Sequence, residues 1–247
     1  MRRISITLVL LGFLLIGTPA RGAFGDVVAS FPAPAQVPSA LAWDGRYLWV
    51  LCNTTPSVST VFRLNPDNGS VVSSFASPYR AASRGLTWDG TYLYLGRFNP
   101  YVVSWRSTTG SLYGTFTLPA YYGGLAWDGS HLWATNRSPY YFYRVTTRGS
   151  LVSSFPVSFF PFDPGFGNGY IFVGTYTPLQ RLYKLTTAGS IVESANPPAN
   201  HPWGCCFDGT YVWFTDVTSH HYIWKCDAGQ YPTVVPASVG RVKGLFR

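Results

Sequence analysis

One phrase returns along this chain. LAWDGRYLWV at 41–50 comes back as LTWDGTYLYL at 86–95, LAWDGSHLWA at 125–134 and CCFDGTYVWF at 205–214, with a blurred copy, GFGNGYIFVG, at 165–174. Self-similarity at this period predicts a repeat architecture, in which each unit buries its apolar faces against its neighbours. The turn aspartates Asp44, Asp89, Asp128 and Asp208 are spaced by 45, 39 and 80 residues, and the last gap holds two units. About 40 residues per unit is the size of a four-stranded propeller blade.

The third copy shows how one unit reads. GLAW (124–127) is a short strand, and Asp128-Gly129 is the two-residue signal for a tight hairpin, because Gly accepts a positive φ that Asp also tolerates. HLWATN is a second strand. The longer loop RSPY leads to a third, YFYRVT, and the turn Thr147-Arg148-Gly149-Ser150 leads to a fourth, LVSSFPV. The other units divide in the same way. The fifth would run CCF, YVWFTD, YIWKCD and YPTVVPA.

The chain ends fit this frame. GDVVASFPAP at 25–34 matches a fourth strand such as GSVVSSFASP at 69–78, and RVKGLFR at 241–247 matches a first strand such as RGLTW at 84–88. The expected fold is therefore all-β: a β-propeller of five complete four-stranded blades, closed by an N-terminal outer strand and a C-terminal inner strand. Those two strands form either a reduced sixth blade or part of the five-bladed ring. Either way both termini meet at one junction and seal an edge that could otherwise pair with another chain.

Residues 1–22 stand apart from the repeats. A basic start (Met1-Arg2-Arg3), the apolar run ISITLVLLGFLLIG and the small-residue end TPARG read as a signal peptide cleaved after Gly22, ahead of a single propeller domain at 23–247. The alternative is an uncleaved anchor, but the run falls short of the ~20 apolar residues of a spanning helix. The expected location is secreted, extracellular or periplasmic. Cleavage would remove three arginines and leave 15 basic residues against 10 acidic, or +5. With no Lys/Arg run, nucleic-acid binding has no support. The four cysteines, Cys52, Cys205, Cys206 and Cys226, are either buried thiols or include one disulfide.

G-L-x-W-D-G-x-Y-L-W followed by a strand of the S-V-V-S-S-F type resembles the secreted bacterial propeller repeats of the NHL and YVTN type, over essentially the whole of 23–247. More loosely the chain is similar to five-bladed glutamine cyclotransferases. That second resemblance implies a catalytic acidic residue in the central pocket, whereas the only glutamate, Glu193, falls on an outermost strand.

A four-stranded meander sends its connections alternately to two rims. One rim carries the tight turns. The other carries longer links, among them RFNP, RSPY, VTSHH, FFPFDP and PPANHPW. Variable loops on a rigid scaffold are where binding groups sit, so the candidate site is this second rim and the channel mouth there. Its candidate residues are Arg97, Asn99, Arg137, Tyr140, Tyr176, Trp203, Asp216 and His220. Aromatics beside Arg and Asn suit a peptide, a glycan or an anionic surface polymer. The expectation is a non-enzymatic, monomeric binding module with an extracellular partner. The alternatives are a propeller hydrolase, lyase or cyclase drawing on Asp163, Asp216, His201, His220 and His221, or a structural extracellular module. No catalytic residue is assigned. His220-His221 would face opposite ways in a strand, and no zinc spacing, G-x-S-x-G elbow or phosphate loop occurs, so no metal or cofactor is expected.

Overall fold

A computed structural model describes residues 22–55, 58–79, 83–118, 122–176, 179–218 and 221–230. They form twenty strands and, among the described residues, no helix. The strands make five antiparallel four-stranded sheets. Blade one holds β2 (Pro38–Trp43), β3 (Leu48–Thr55), β4 (Val58–Leu64) and β5 (Val71–Ala76). Blade two holds β6 (Ser83–Trp88), β7 (Leu93–Arg97), β8 (Val102–Arg106) and β9 (Leu112–Thr117). Blade three holds β10 (Tyr122–Trp127), β11 (Leu132–Arg137), β12 (Tyr140–Val145) and β13 (Leu151–Pro156). Blade four holds β14 (Gly165–Gly167), β15 (Tyr170–Thr175), β16 (Arg181–Thr186) and β17 (Ile191–Ala195). Blade five holds β18 (Pro202–Phe207), β19 (Tyr211–Asp216) and β20 (Tyr222–Asp227), and its fourth strand is β1 (Val27–Pro32) from the N-terminus.

The fold is thus the expected five-bladed propeller, with one reassignment. β1 pairs with β20, from Val27↔Cys226 to Pro32↔Tyr222, and so occupies the place expected for YPTVVPA. One strand position cannot be filled twice. Residues 231–247, including the expected closing strand RVKGLFR, lie outside the described residues, as do residues 1–21 of the expected signal peptide.

The second strand of each blade is buried on both faces, so it reads as a continuous apolar run instead of alternating. In β3, Leu48, Val50 and Cys52 pack against Cys206, Trp213 and Ile223 of blade five, while Trp49 and Leu51 pack against Leu86, Leu93 and Leu95 of blade two. Three more clusters fill the remaining junctions. The core is a ring of five wedges, and burial of apolar surface between blades holds it together. All four cysteines are buried free thiols; burial pushes Cys52 and Cys226 up to about 12.

The Asp-Gly hairpins differ from the expected two-residue turn. Trp127 pairs with Leu132, so the connection is four residues long. Gly129 takes the positive φ of 95°. Asp128 contributes its carboxylate, with Oδ1 accepting from the backbone amides of Ser130 (2.9 Å) and His131 (2.7 Å) and Oδ2 from the indole Nε1–H of Trp133 (3.1 Å). Asp44 and Asp208 repeat the arrangement with Trp49 and Trp213. Trp43, Trp88 and Trp127 pack at the edges of the inter-blade clusters. They also ring a small axial cavity of about 60 Å³ at the tight-turn mouth, with Phe166 and Phe207.

Candidate functional site

The link FFPFDP between blades three and four closes the propeller's axis from the loop rim. Asp163 is fully buried there. Its Oδ1 accepts from the amide of Leu125 (2.8 Å) and its Oδ2 from that of Leu41 (3.3 Å). The amides of Leu86 and Cys205 also donate to it. Leu41, Leu86, Leu125 and Cys205 hold equivalent places in the inner strands of blades one, two, three and five, so one carboxylate ties four blades together. Burial pushes its pKa well above the ordinary 3.8, opposed by the four amides. This acid is therefore enclosed, and the site lies beside the plugged axis instead of down an open channel.

Beside that plug is a cavity of about 340 Å³ lined by Arg137, Phe160, Phe162, Tyr176, His201 and Trp203. Arg137 and Tyr176 come from the loop ends of β11 and β15, Trp203 from the start of β18, and the others from the links between blades. The rings form two stacked pairs: Phe162 on Trp203 with centroids 4.4 Å apart, and Tyr176 on His201 at 4.0 Å. The Arg137 guanidinium lies 4.3 Å over Phe160 and 5.7 Å from Trp203, and Arg84 approaches the same indole from blade two at 5.5 Å. Trp203 Nε1 and His201 Nδ1 are buried with no hydrogen-bond partner among the described residues. None of the ten acidic residues lines this cavity. It presents positive charge and the Trp203 N–H on an aromatic wall, a size and composition suited to a small ligand group.

A second cavity, about 490 Å³, opens on the same rim between blades four and five. Pro198, Ala199, Asn200, Asp216, Thr218, Tyr222 and Trp224 line it. Asp216 Oδ1 accepts from the Thr218 amide (2.9 Å) and hydroxyl (2.6 Å). Trp224 Nε1 is buried without a partner among the described residues. Asn200 of this cavity precedes His201 of the first, and Pro202, between His201 and Trp203, pairs with Asp216, so the two cavities adjoin.

The sequence candidates divide accordingly. Arg137, Tyr176 and Trp203 meet in the first cavity. Tyr140 packs edge-on against Phe160 behind its wall, 5.7 Å between centroids. Asp216 lines the second cavity. Arg97 is not in either: it lies 5.8 Å over Tyr79 of its own neighbourhood, and Asn99 is exposed on the β7–β8 loop. Both were expected at the site because their loop faces the right rim; Arg97 turns to Tyr79 instead. His220 lies outside the described residues. Phe160, Phe162, Tyr222 and Trp224 were not expected. The first two sit in a link whose proline- and phenylalanine-rich sequence reads as packing, and only its path over the axis turns them toward the cavity. Among the described residues no cluster of His, Cys, Asp or Glu could hold a metal ion. Asn53 and Asn136, which open Asn-x-Thr/Ser triplets, are buried.

No protein-family model matches this sequence, and comparison with curated proteins finds no match. Solved structures do resemble it. The glutaminyl cyclase of Myxococcus xanthus superposes with a TM-score of 0.67 at 14% identity, covering 81% of this chain and 94% of that one. A chain of a mitotic checkpoint complex gives a TM-score of 0.52 at 13% identity, over 91% of this chain and 100% of its own. A protein of unknown function from Bacteroides caccae gives 0.52 at 12% identity, over 85% and 89%. At these identities the likeness shows the propeller fold alone.

Proposed function

We propose that this chain is a secreted binding propeller, of the NHL and YVTN type its repeats resemble, that takes an anionic polymer, glycan or peptide on its loop rim. The observation that carries this reading is the convergence of Arg137, Tyr176, His201 and Trp203, with Phe160 and Phe162, in one cavity that no acidic residue lines. A guanidinium held against aromatic rings keeps its charge and its fork of donors while its apolar faces are covered, which suits carboxylate or phosphate capture.

The placement of the acids leaves the first cavity without a carboxyl group, which supports binding there over the hydrolase, lyase or cyclase alternative. Asp216 of the second cavity stays within reach of a ligand. General acid–base chemistry needs a histidine, a carboxyl or a similar group within reach of a substrate, and of the histidines and acids the first cavity offers His201 alone. Asp163 is enclosed and bonded to backbone. Glu193 is paired with Lys184 at 2.8 Å on an outermost strand. Four more aspartates cap the hairpins of the opposite rim or sit in its turns.

The test uses immobilised polygalacturonate, poly-glutamate and neutral dextran. The wild-type protein should bind at least one of the anionic polymers and not dextran. Arg137→Ala with Tyr176→Ala should weaken that binding about tenfold or more, a loss of about 1.4 kcal/mol per tenfold step, without lowering the melting temperature. Arg97→Ala, away from the cavity, serves as the control. Binding that survives the double substitution, or no binding to either polyanion, overturns the reading.

A further inference from the structure

The two rim cavities adjoin and differ in charge. The first presents arginine, the unpartnered Trp203 N–H and no acid. The second presents the Asp216 carboxylate, whose described hydrogen bonds both fall on Oδ1, leaving Oδ2 to accept from a ligand. Each carries an indole, Trp203 in one and Trp224 in the other, with a buried Nε1–H that no described residue accepts. A buried donor left without an acceptor is costly. Two such donors at adjoining cavities point to a ligand that brings acceptors to both.

We propose that the two cavities are consecutive subsites for an acidic oligosaccharide whose charged and uncharged units alternate. This rests on the binding reading of the first cavity and extends it. A sugar-acid unit would stack on the aromatic wall of the first subsite, its carboxylate on Arg137 and its hydroxyls accepting from Trp203 Nε1–H. The next unit would place hydroxyl or amide donors on Asp216 Oδ2 and an acceptor on Trp224 Nε1–H. That unit must be uncharged, because a second carboxylate would face Asp216 at close range. Volumes of about 340 and 490 Å³ suit ring-sized units, not a folded partner. An extended peptide gains affinity by adding a strand to a sheet edge. Here strand ends and inter-blade links, not edges, form the cavities, so a sugar chain fits better.

The experiment is calorimetric titration at low salt with three probes: free glucuronic acid, a tetrasaccharide alternating glucuronate with N-acetylglucosamine, and an all-uronate galacturonate tetramer. For the wild-type protein the alternating tetrasaccharide should bind about tenfold or more tighter than the monosaccharide, and the all-uronate tetramer should gain much less. Asp216→Asn, which keeps an oxygen for the Thr218 bonds, and Trp224→Phe should each bring the ratio of tetrasaccharide to monosaccharide affinity close to one. Arg137→Ala should weaken both ligands. If the monosaccharide binds but the alternating tetramer gains nothing, if the all-uronate tetramer gains as much, or if Asp216→Asn leaves the ratio intact, the second subsite is wrong while the first stands. If neither class of sugar binds but poly-glutamate does, the glycan assignment falls and the anionic-peptide form of the binding reading remains. If no anion binds, both fall.

Discussion

Aspartate does two opposite jobs in this molecule, and environment decides which. At the hairpins the carboxylate is almost covered but meets charged and polar donors. Burial works to raise Asp128, but the Arg144 guanidinium at 2.7 Å and the amides of His131 and Ser130 hold it below its ordinary 3.8. Its contribution to stability is thus present above the unfolded-state pKa and lost as pH falls through the native value. Asp163 runs the other way. Burial holds its native pKa above the unfolded one, so its contribution is complete below the ordinary 3.8 and falls as pH rises through the native value. Asp163→Ala should cost at least about 3 kcal/mol, since several buried amides lose their acceptor at roughly 1–3 kcal/mol each. Asp163→Asn should cost less and flatten the decline of stability with rising pH. Denaturant midpoints across pH check both. An unchanged pH profile in Asp163→Asn would show that this carboxyl does not titrate between the two states. The same pairing logic explains blade four. There the hairpin shortens to Asn168-Gly169, Gly167 stands at the aspartate's place after Phe166, and Phe172 replaces the tryptophan whose indole N–H the aspartate accepts. The two changes go together because a lone indole donor or a lone carboxylate would be left without its partner. In blade two Tyr94 supplies the donor to Asp89 with its hydroxyl.

At the scale of elements, four of the five blade junctions share one latch. A phenylalanine from an outermost strand, Phe31, Phe75, Phe116 or Phe155, tucks under the turn glycine of the next blade. A Cβ added at Gly110, for example, would come within 2.7 Å of Phe75. β17 ends in Ser194-Ala195 and has no such phenylalanine. Its junction is held instead by Lys184, fully buried on β16, whose Nζ donates to Glu193 Oε1 (2.8 Å) and to the carbonyls of Ala228 (3.2 Å) and Gln230 (2.7 Å). Removing one partner of such a pair leaves a buried ammonium under-compensated. Glu193→Ala should therefore lower stability by roughly 3 kcal/mol, and Glu193→Gln, which keeps an acceptor oxygen, by clearly less. Equal losses in the two variants would mean that the charge contributes nothing. This is also where the sequence was and was not readable. Period, strand count and turn residues are written locally, so the blades and the two unlike rims follow from the repeats. The partner of β20 is not local. Two segments, 25–34 and 231–237, carry suitable strand patterns, and only ring closure selects the first. The first cavity was half legible: Arg137, Tyr176 and Trp203 sit on loop-rim strand ends, but the phenylalanines that complete it depend on where one link crosses the axis.

At the scale of the whole molecule, five wedge-shaped cores and one axial carboxylate make a rigid ring with a seam sealed by its own N-terminal strand. The tight-turn rim is consumed by capped hairpins. The loop rim gathers arginine, stacked rings and unpartnered N–H donors over blades three to five. A ligand should therefore touch one sector of one rim, with the scaffold unmoved. Backbone amide chemical shifts, followed by NMR as the alternating glucuronate tetrasaccharide is added, test this most directly. Perturbations should cluster at residues 135–140, 159–164, 174–176 and 198–205, extending to Asp216–Thr218 and Tyr222–Trp224, while the hairpins at Asp44, Asp89, Asp128 and Asp208 stay still. Shifts centred on those hairpins, or spread evenly around the ring, would contradict it.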